Sequence, residues 1–111
     1  MIKVRAFQVA PPELEAVLLA HPHIVDAAVI GIDSADGSTQ LPRAYVVRRA
    51  SPEGQSLTEQ DVYDIVKSKL TKYKWLEGGV KFLPAIPKNP SGKILKRVLR
   101  EQAKKEIGAK L

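Results

Sequence analysis

A single lysine carries the clearest chemical potential in this sequence. In Pro87-Lys88-Asn89-Pro90-Ser91-Gly92-Lys93, Pro87 and Pro90 fix φ while Gly92 opens backbone angles closed to other residues. Lys93 is therefore a flexible side chain at the tip of a restrained loop, just ahead of a basic helix. Its ammonium is a compact cation with rotatable donors, suited to a phosphate or carboxylate oxygen on which negative charge builds in a transition state. Taken alone, Lys93 also fits an ordinary solvated loop lysine, which is what most surface lysines are. His21 and His23 flank Pro22, but no cysteine and no nearby acidic pair completes a metal site, so both read as helix-end or loop histidines and no metal is assigned.

The elements that position Lys93 must come from one modest core. The chain has 111 residues, 44% hydrophobic and 27% charged, which suits one domain spanning 1–111. Eighteen basic against 12 acidic side chains give +6, compatible with a nucleotide, a coenzyme, nucleic acid or a membrane surface. The absence of cysteine excludes disulfides, a thiolate nucleophile and a zinc-thiolate site. No apolar run approaches the ~20 residues of a membrane span, and Met1-Ile2-Lys3-Val4-Arg5 lacks a signal peptide's apolar centre. An intracellular address, cytoplasmic or peroxisomal, is expected.

Along the chain, Ile2 to Val9 alternates as one extended strand, with Lys3 and Arg5 on one face. Pro12 opens a helix with Glu13 and Glu15 in its first turn, and Leu14, Val17, Leu18 and His21 form a stripe closed by Pro22. Val25 to Ile32 is apolar on both sides, as in a strand buried on both faces. Asp33 to Gln40 has turn composition and Arg43 to Arg49 resumes a strand, which predicts a hairpin. Ala50 to Gln55 reads as a loop, and Thr58 caps a helix carrying Val62, Ile65, Val66 and Leu70. Lys67, Lys69, Lys72 and Lys74 at its end complement the helix dipole. A short strand, Val80 to Leu83, follows Gly78-Gly79; after the loop, Leu95, Val98, Leu99 and Gln102 trace a terminal helix whose tail, Lys104 to Leu111, is expected to fray. The sum is an α+β domain, a small mixed β-sheet packed by two to three helices, with no internal repeat.

Two separated segments carry a resemblance. Ile2-Lys3-Val4-Arg5-Ala6-Phe7-Gln8-Val9-Ala10-Pro11-Pro12-Glu13-Leu14-Glu15 and Ile86-Pro87-Lys88-Asn89-Pro90-Ser91-Gly92-Lys93-Ile94-Leu95-Lys96-Arg97 resemble the C-terminal domain of adenylate-forming enzymes. Val25-Asp26-Ala27-Ala28-Val29-Ile30-Gly31 and Tyr73-Lys74-Trp75 match between them in order and approximate spacing, so the resemblance covers essentially the whole chain. Phe7-Gln8-Val9-Ala10-Pro11 is more similar to the branch of 4-coumarate-CoA ligases, acyl-CoA ligases and firefly luciferase than to acetyl-CoA synthetases or peptide-synthetase adenylation domains.

The resemblance implies a mobile lid that serves two steps: a carboxylate and ATP give an acyl-adenylate and pyrophosphate, and the acyl group then passes to the thiol of coenzyme A. It implies Lys93 as the adenylation lysine, Lys3 and Gln8 as contacts to the acyl-adenylate or AMP, and Arg5 and Ala6 at the coenzyme A channel. The partner is a large N-terminal adenylating domain of the same polypeptide, which would hold most of the ATP site and its Mg2+; this chain by itself is expected to be inactive. The family usually has glycine where Ala6 stands and lysine where Arg5 stands, so the methyl group is expected to crowd the pantetheine passage or change the backbone angle. An acyl-carrier protein as the acyl acceptor is the alternative that Ala6 leaves open. A basic nucleic-acid-binding module, suggested by Lys93, Lys96, Arg97 and Arg100, is the alternative of another class, though six aromatics in all offer few stacking platforms.

Overall fold

The apolar run at 25–32 is explained by what lies on either side of it. In the computed structural model, which describes residues 1–108, strand β3 (Ile24–Asp33) pairs antiparallel with β4 (Gln40–Arg48), and β4 pairs parallel with β5 (Val80–Phe82). The sheet is thus mixed, in the order β3-β4-β5. Successive side chains of a strand point to opposite faces. Ala27 and Val29, with Ala44 and Val46, meet helix α1 (Pro11–Leu19) and helix α3 (Glu59–Lys69) on one face. Ala28, Ile30 and Tyr45 meet Ile86 and helix α4 (Lys96–Gly108) on the other. Both faces being covered, Ala27 through Ile30 are each at most 1% exposed.

The N-terminal segment corrects the expectation of one strand over Ile2–Val9. It is a hairpin, β1 (Ile2–Val4) and β2 (Phe7–Val9), in the register Ile2↔Val9, Lys3↔Gln8 and Val4↔Phe7. Arg5 and Ala6 form the two-residue turn, so Lys3 and Arg5 do not share a strand face. The alternation runs unbroken through the turn, and no Asn-Gly or Gly pair announces it. Ile2, Val4 and Val9 enter the core beside α1 and α3.

Helix α1 ends at Leu19, short of His21. His21 precedes Pro22, where the helical region is disfavoured, and its N–H closes a tighter bond to Leu18 O at 3.0 Å. Ala50–Gln55 is not all loop: Pro52–Gln55 forms the short helix α2, capped by Ser51 Oγ accepting from Gly54 N–H at 3.1 Å. Helix α3 has the predicted cap and more, a reciprocal box in which Thr58 Oγ1 accepts from Asp61 N–H and Asp61 Oδ2 accepts from Thr58 N–H.

Helix α4 continues past Lys104, against the expected fraying, as far as Gly108; residues 109–111 lie outside the described residues. The reason is a tether near its end. Glu106 Oε1 accepts from Arg43 Nη2 at 3.1 Å and from the Tyr45 hydroxyl at 3.0 Å, and Glu106 Oε2 lies 3.4 Å from Lys81 Nζ. Among the described residues no helix is long and apolar enough to cross a membrane.

Candidate functional site

The loop before α4 is built around one side chain. Asn89 Oδ1 accepts from Ser91 N–H at 3.1 Å, Ser91 Oγ–H at 2.7 Å and Lys93 N–H at 2.9 Å, an Asx-type closure. Asn89 N–H donates to Lys93 O at 2.9 Å, and Lys88 and Ile94 bridge as a single antiparallel pair. Gly92 sits at φ +88° with open space where a Cβ would stand, so glycine is required there for its backbone angle and not for room. Lys93 is thereby presented on a fixed backbone.

The neighbouring lysines are engaged. Lys88 Nζ lies 2.6 Å from Asp26 Oδ2, and Lys96 Nζ lies 3.2 Å from Glu15 Oε2 while donating to Val29 O at 3.1 Å. Lys93 is exposed and has no ion-pair partner among the described residues. The run Lys93, Lys96, Arg97, Arg100 therefore does not present one continuous basic face: Lys96 is turned inward, whereas Arg97 and Arg100 are exposed.

The hairpin gathers the other candidates. Lys3 and Gln8 are directly opposed across β1 and β2 and both are exposed, so their side chains share a surface. Arg5 and Ala6 occupy the tip. Arg5 adopts φ 56°, the left-handed region, and Ala6 does not. The methyl group of Ala6 therefore imposes no left-handed strain; that falls on Arg5. Residues the sequence assigned only to a turn hold the tip in place. Thr39 Oγ1 accepts Arg5 N–H at 2.6 Å and donates to Lys3 O at 3.2 Å, and Gln40 Oε1 accepts Lys3 N–H at 2.9 Å. That turn is itself closed by Asp36, whose carboxylate accepts from the hydroxyls of Ser34 and Ser38 at 2.7 Å each, which brings its pKa down to about 2.

Beside the tip lies a groove of about 630 Å³ lined by Arg5, Phe7, Lys72, Tyr73 and Trp75, among others. Phe7 stacks on Tyr73 at 4.3 Å with the rings 11° apart, and Trp75 Nε1 donates to Leu70 O at 2.9 Å. Lys74 leaves the groove to pair with Glu13 at 2.7 Å. A second groove, lined by His21, His23, Asp61 and Asp64 among others, holds no metal constellation: His21 Nδ1 accepts His23 N–H, and among the described residues no group of three or more His, Cys, Asp or Glu is placed to hold an ion.

The two motifs lie on opposite faces of the sheet. Ile2, Val4 and Val9 of the hairpin pack with α1 and α3, whereas Ile86, Ile94 and Leu99 around the lysine loop pack beneath Ala28, Ile30 and Tyr45. A small α+β domain with a mixed sheet and packed helices is the class to which the C-terminal domains of adenylate-forming enzymes belong. Residues 13–93 match the family model of the AMP-binding enzyme C-terminal domain, and the chain belongs to that family. It is 52% identical over 107 residues to a phenylacetyl-CoA ligase of Aspergillus niger, covering 96% of this chain and 19% of the relative. It is 50% identical over 106 residues to a luciferin 4-monooxygenase of Photuris pensylvanica, covering 95% and 18%. Among solved structures, ATP-bound MatB from Rhodopseudomonas palustris superposes with a TM-score of 0.80 at 35% identity, covering 94% of this chain and 20% of that one. The chain thus spans about a fifth of the length of these proteins.

Proposed function

We propose that this chain is the catalytic lid of an ATP-dependent acyl- or aryl-CoA ligase and works with a large adenylating domain of the same polypeptide. In the first step Lys93 reaches the α-phosphate and the substrate carboxylate, where its ammonium offsets the charge accumulating on the phosphoryl oxygens. Lys3 and Gln8 hold the acyl-adenylate, and Arg5 and Ala6 line the passage through which the coenzyme A thiol arrives. The adenylating domain supplies the nucleotide pocket and the Mg2+ ligands. The observation that carries the assignment is the state of the three loop-flanking lysines: Lys88 and Lys96 are ion-paired, and Lys93, on an Asn89-closed loop, is free among the described residues. The cationic and aromatic groove at Arg5 supports the second step, because it offers a channel-sized space with a charge at its rim.

The test uses the two half-reactions of the polypeptide that joins this domain to its adenylating domain. Lys93→Ala should lower carboxylate-dependent ATP–pyrophosphate exchange by about 10²–10³, the usual cost of one lost transition-state charge contact. Thioester formation from preformed acyl-adenylate should change far less. Equal losses in both half-reactions would remove Lys93 from the adenylation step.

A further inference from the structure

Strand β3 is an edge strand, and the way its free edge is closed concerns Lys93. Val29 lies opposite Ala44, whose N–H points the other way, to Gly79 O at 3.1 Å. The N–H and C=O of Val29 consequently face the unpaired side, and an edge group left unpaired at a buried residue is costly. Two charged side chains satisfy them. Val29 N–H donates to Glu15 Oε2 at 2.9 Å, Lys96 Nζ donates to Val29 O at 3.1 Å, and the two charged groups are 3.2 Å apart. One residue's peptide groups and one ion pair close a ring.

The ring also spans the sheet. Glu15 comes from α1, on the hairpin's face, and Lys96 opens α4, on the opposite face, three positions after Lys93. With side chains only 13% and 26% exposed, the pair is shielded in a way that ordinary surface pairs are not. The other end of the lysine loop is pinned to the same strand, through Lys88 and Asp26. Lys96 thus directs its charge to β3 and α1.

We infer that Glu15 and Lys96 are positioning residues for Lys93: through the Val29 backbone they fix the angle at which the loop leaves the sheet and so aim the Lys93 ammonium. This inference rests on the assignment of Lys93 to adenylation. Because the ring joins both layers at one edge, loosening it shifts the loop relative to the rest of the domain, and a displacement near 1 Å at a reacting group costs as much as about 100-fold in rate. The hairpin, held by Thr39 and Gln40, has its own anchors.

The experiment compares Lys93→Ala, Lys96→Met, Lys96→Arg, Glu15→Gln and the double variant Lys93→Ala/Lys96→Met in the two-domain polypeptide. Lys96→Met should lower kcat for ATP–pyrophosphate exchange by about ten- to a hundredfold with the KM for ATP within about twofold. It should leave thioester formation from preformed acyl-adenylate within about twofold, which also shows that the domain is folded. Lys96→Arg should restore most of the loss, and Glu15→Gln, which keeps an acceptor for Val29 N–H but removes the charge, should reproduce part of it. If Lys96→Met does not fold, Glu15→Gln carries the same comparison. The double variant should be no slower than Lys93→Ala alone, because a residue acting through Lys93 has nothing left to aim. Full exchange activity in both Lys96→Met and Glu15→Gln, beside a crippled Lys93→Ala, would overturn the positioning role while leaving the Lys93 assignment intact; so would losses that multiply in the double variant. Full activity in Lys93→Ala would overturn both.

Discussion

Arg5 holds a backbone angle that arginine disfavours. A left-handed φ costs an L-residue about 1–2 kcal/mol, and here Thr39 accepts the strained residue's N–H. The strain gives a way to separate backbone from charge. Arg5→Gly should relieve it, less glycine's added freedom when unfolded, for a net stabilisation of about 0.5–1 kcal/mol in thermal or urea melts. Arg5→Ala keeps the strain and should not stabilise. Both variants lack the guanidinium, so both should raise the coenzyme A concentration needed for half-maximal thioester formation while sparing pyrophosphate exchange. Dependence altered in only one of them would trace the effect to the backbone. Ala6→Gly, at a residue outside the left-handed region, should instead lose up to ~1 kcal/mol of local stability; faster thioester formation in that variant would show that the methyl group narrows the passage. The sequence does not show that Arg5 and Ala6 form a turn, because neither is a turn former and the apolar alternation passes through them unchanged. Asn89 as the hub of the lysine loop is not legible in the sequence either: the prolines and glycine of 87–93 signal a restrained loop, yet the side chain that closes it is the asparagine.

At the scale of elements, local signals were legible and distant ones were not. Thr58 announces α3 because an N-cap acts on the residues that follow it, and Ala27–Ile30 announce a doubly covered strand because every side chain is apolar. The anchoring of α4 depends on Arg43, Tyr45 and Glu106, partners more than 60 positions apart, and no periodicity encodes that. The cluster makes two measurable statements. Tyr45→Phe leaves Arg43 Nε and one bond of Glu106, both half-buried, without a partner, which should cost about 1 kcal/mol. The second concerns pH. Burial pushes the Glu106 carboxyl up, but the Tyr45 hydroxyl, the Arg43 guanidinium and Lys81 together hold it below the ordinary carboxylate range. A carboxyl depressed in the folded state contributes stability that is present above its unfolded pKa and is lost as pH falls through the folded value. Thermal melts of the wild type should therefore decline on acidification below the ordinary carboxylate range. In Glu106→Gln that part of the decline should vanish, together with some stability at neutral pH; an unchanged acid limb would show that the carboxylate is not held in this way.

For the molecule as a whole, the sheet is packed on both faces, with one of the two motifs on each side. The hairpin with Lys3, Arg5 and Gln8 belongs to the α1/α3 face and the Lys93 loop to the α4 face, so an adenylating surface docked against one of them does not meet the other in the same pose. The function proposed above, in which both motifs act on a single substrate, therefore requires the domain to reorient between steps. Neither of the two grooves described above is lined by Lys93, so among the described residues its cation borders neither of them. Electrostatic stabilisation acts only on a positioned reactant. Produced alone, the chain should melt cooperatively, since both faces of its sheet are packed, and should show no ATP–pyrophosphate exchange above a Lys93→Ala control across a panel of carboxylic acids. Supplying the adenylating domain as a separate polypeptide should restore exchange only weakly at micromolar concentrations, because a tether holds two domains at an effective concentration in the millimolar range. Exchange well above the control with no second polypeptide present would mean that this domain holds ATP and the acid by itself, and Lys93 would then need a nucleotide site on its own face of the sheet.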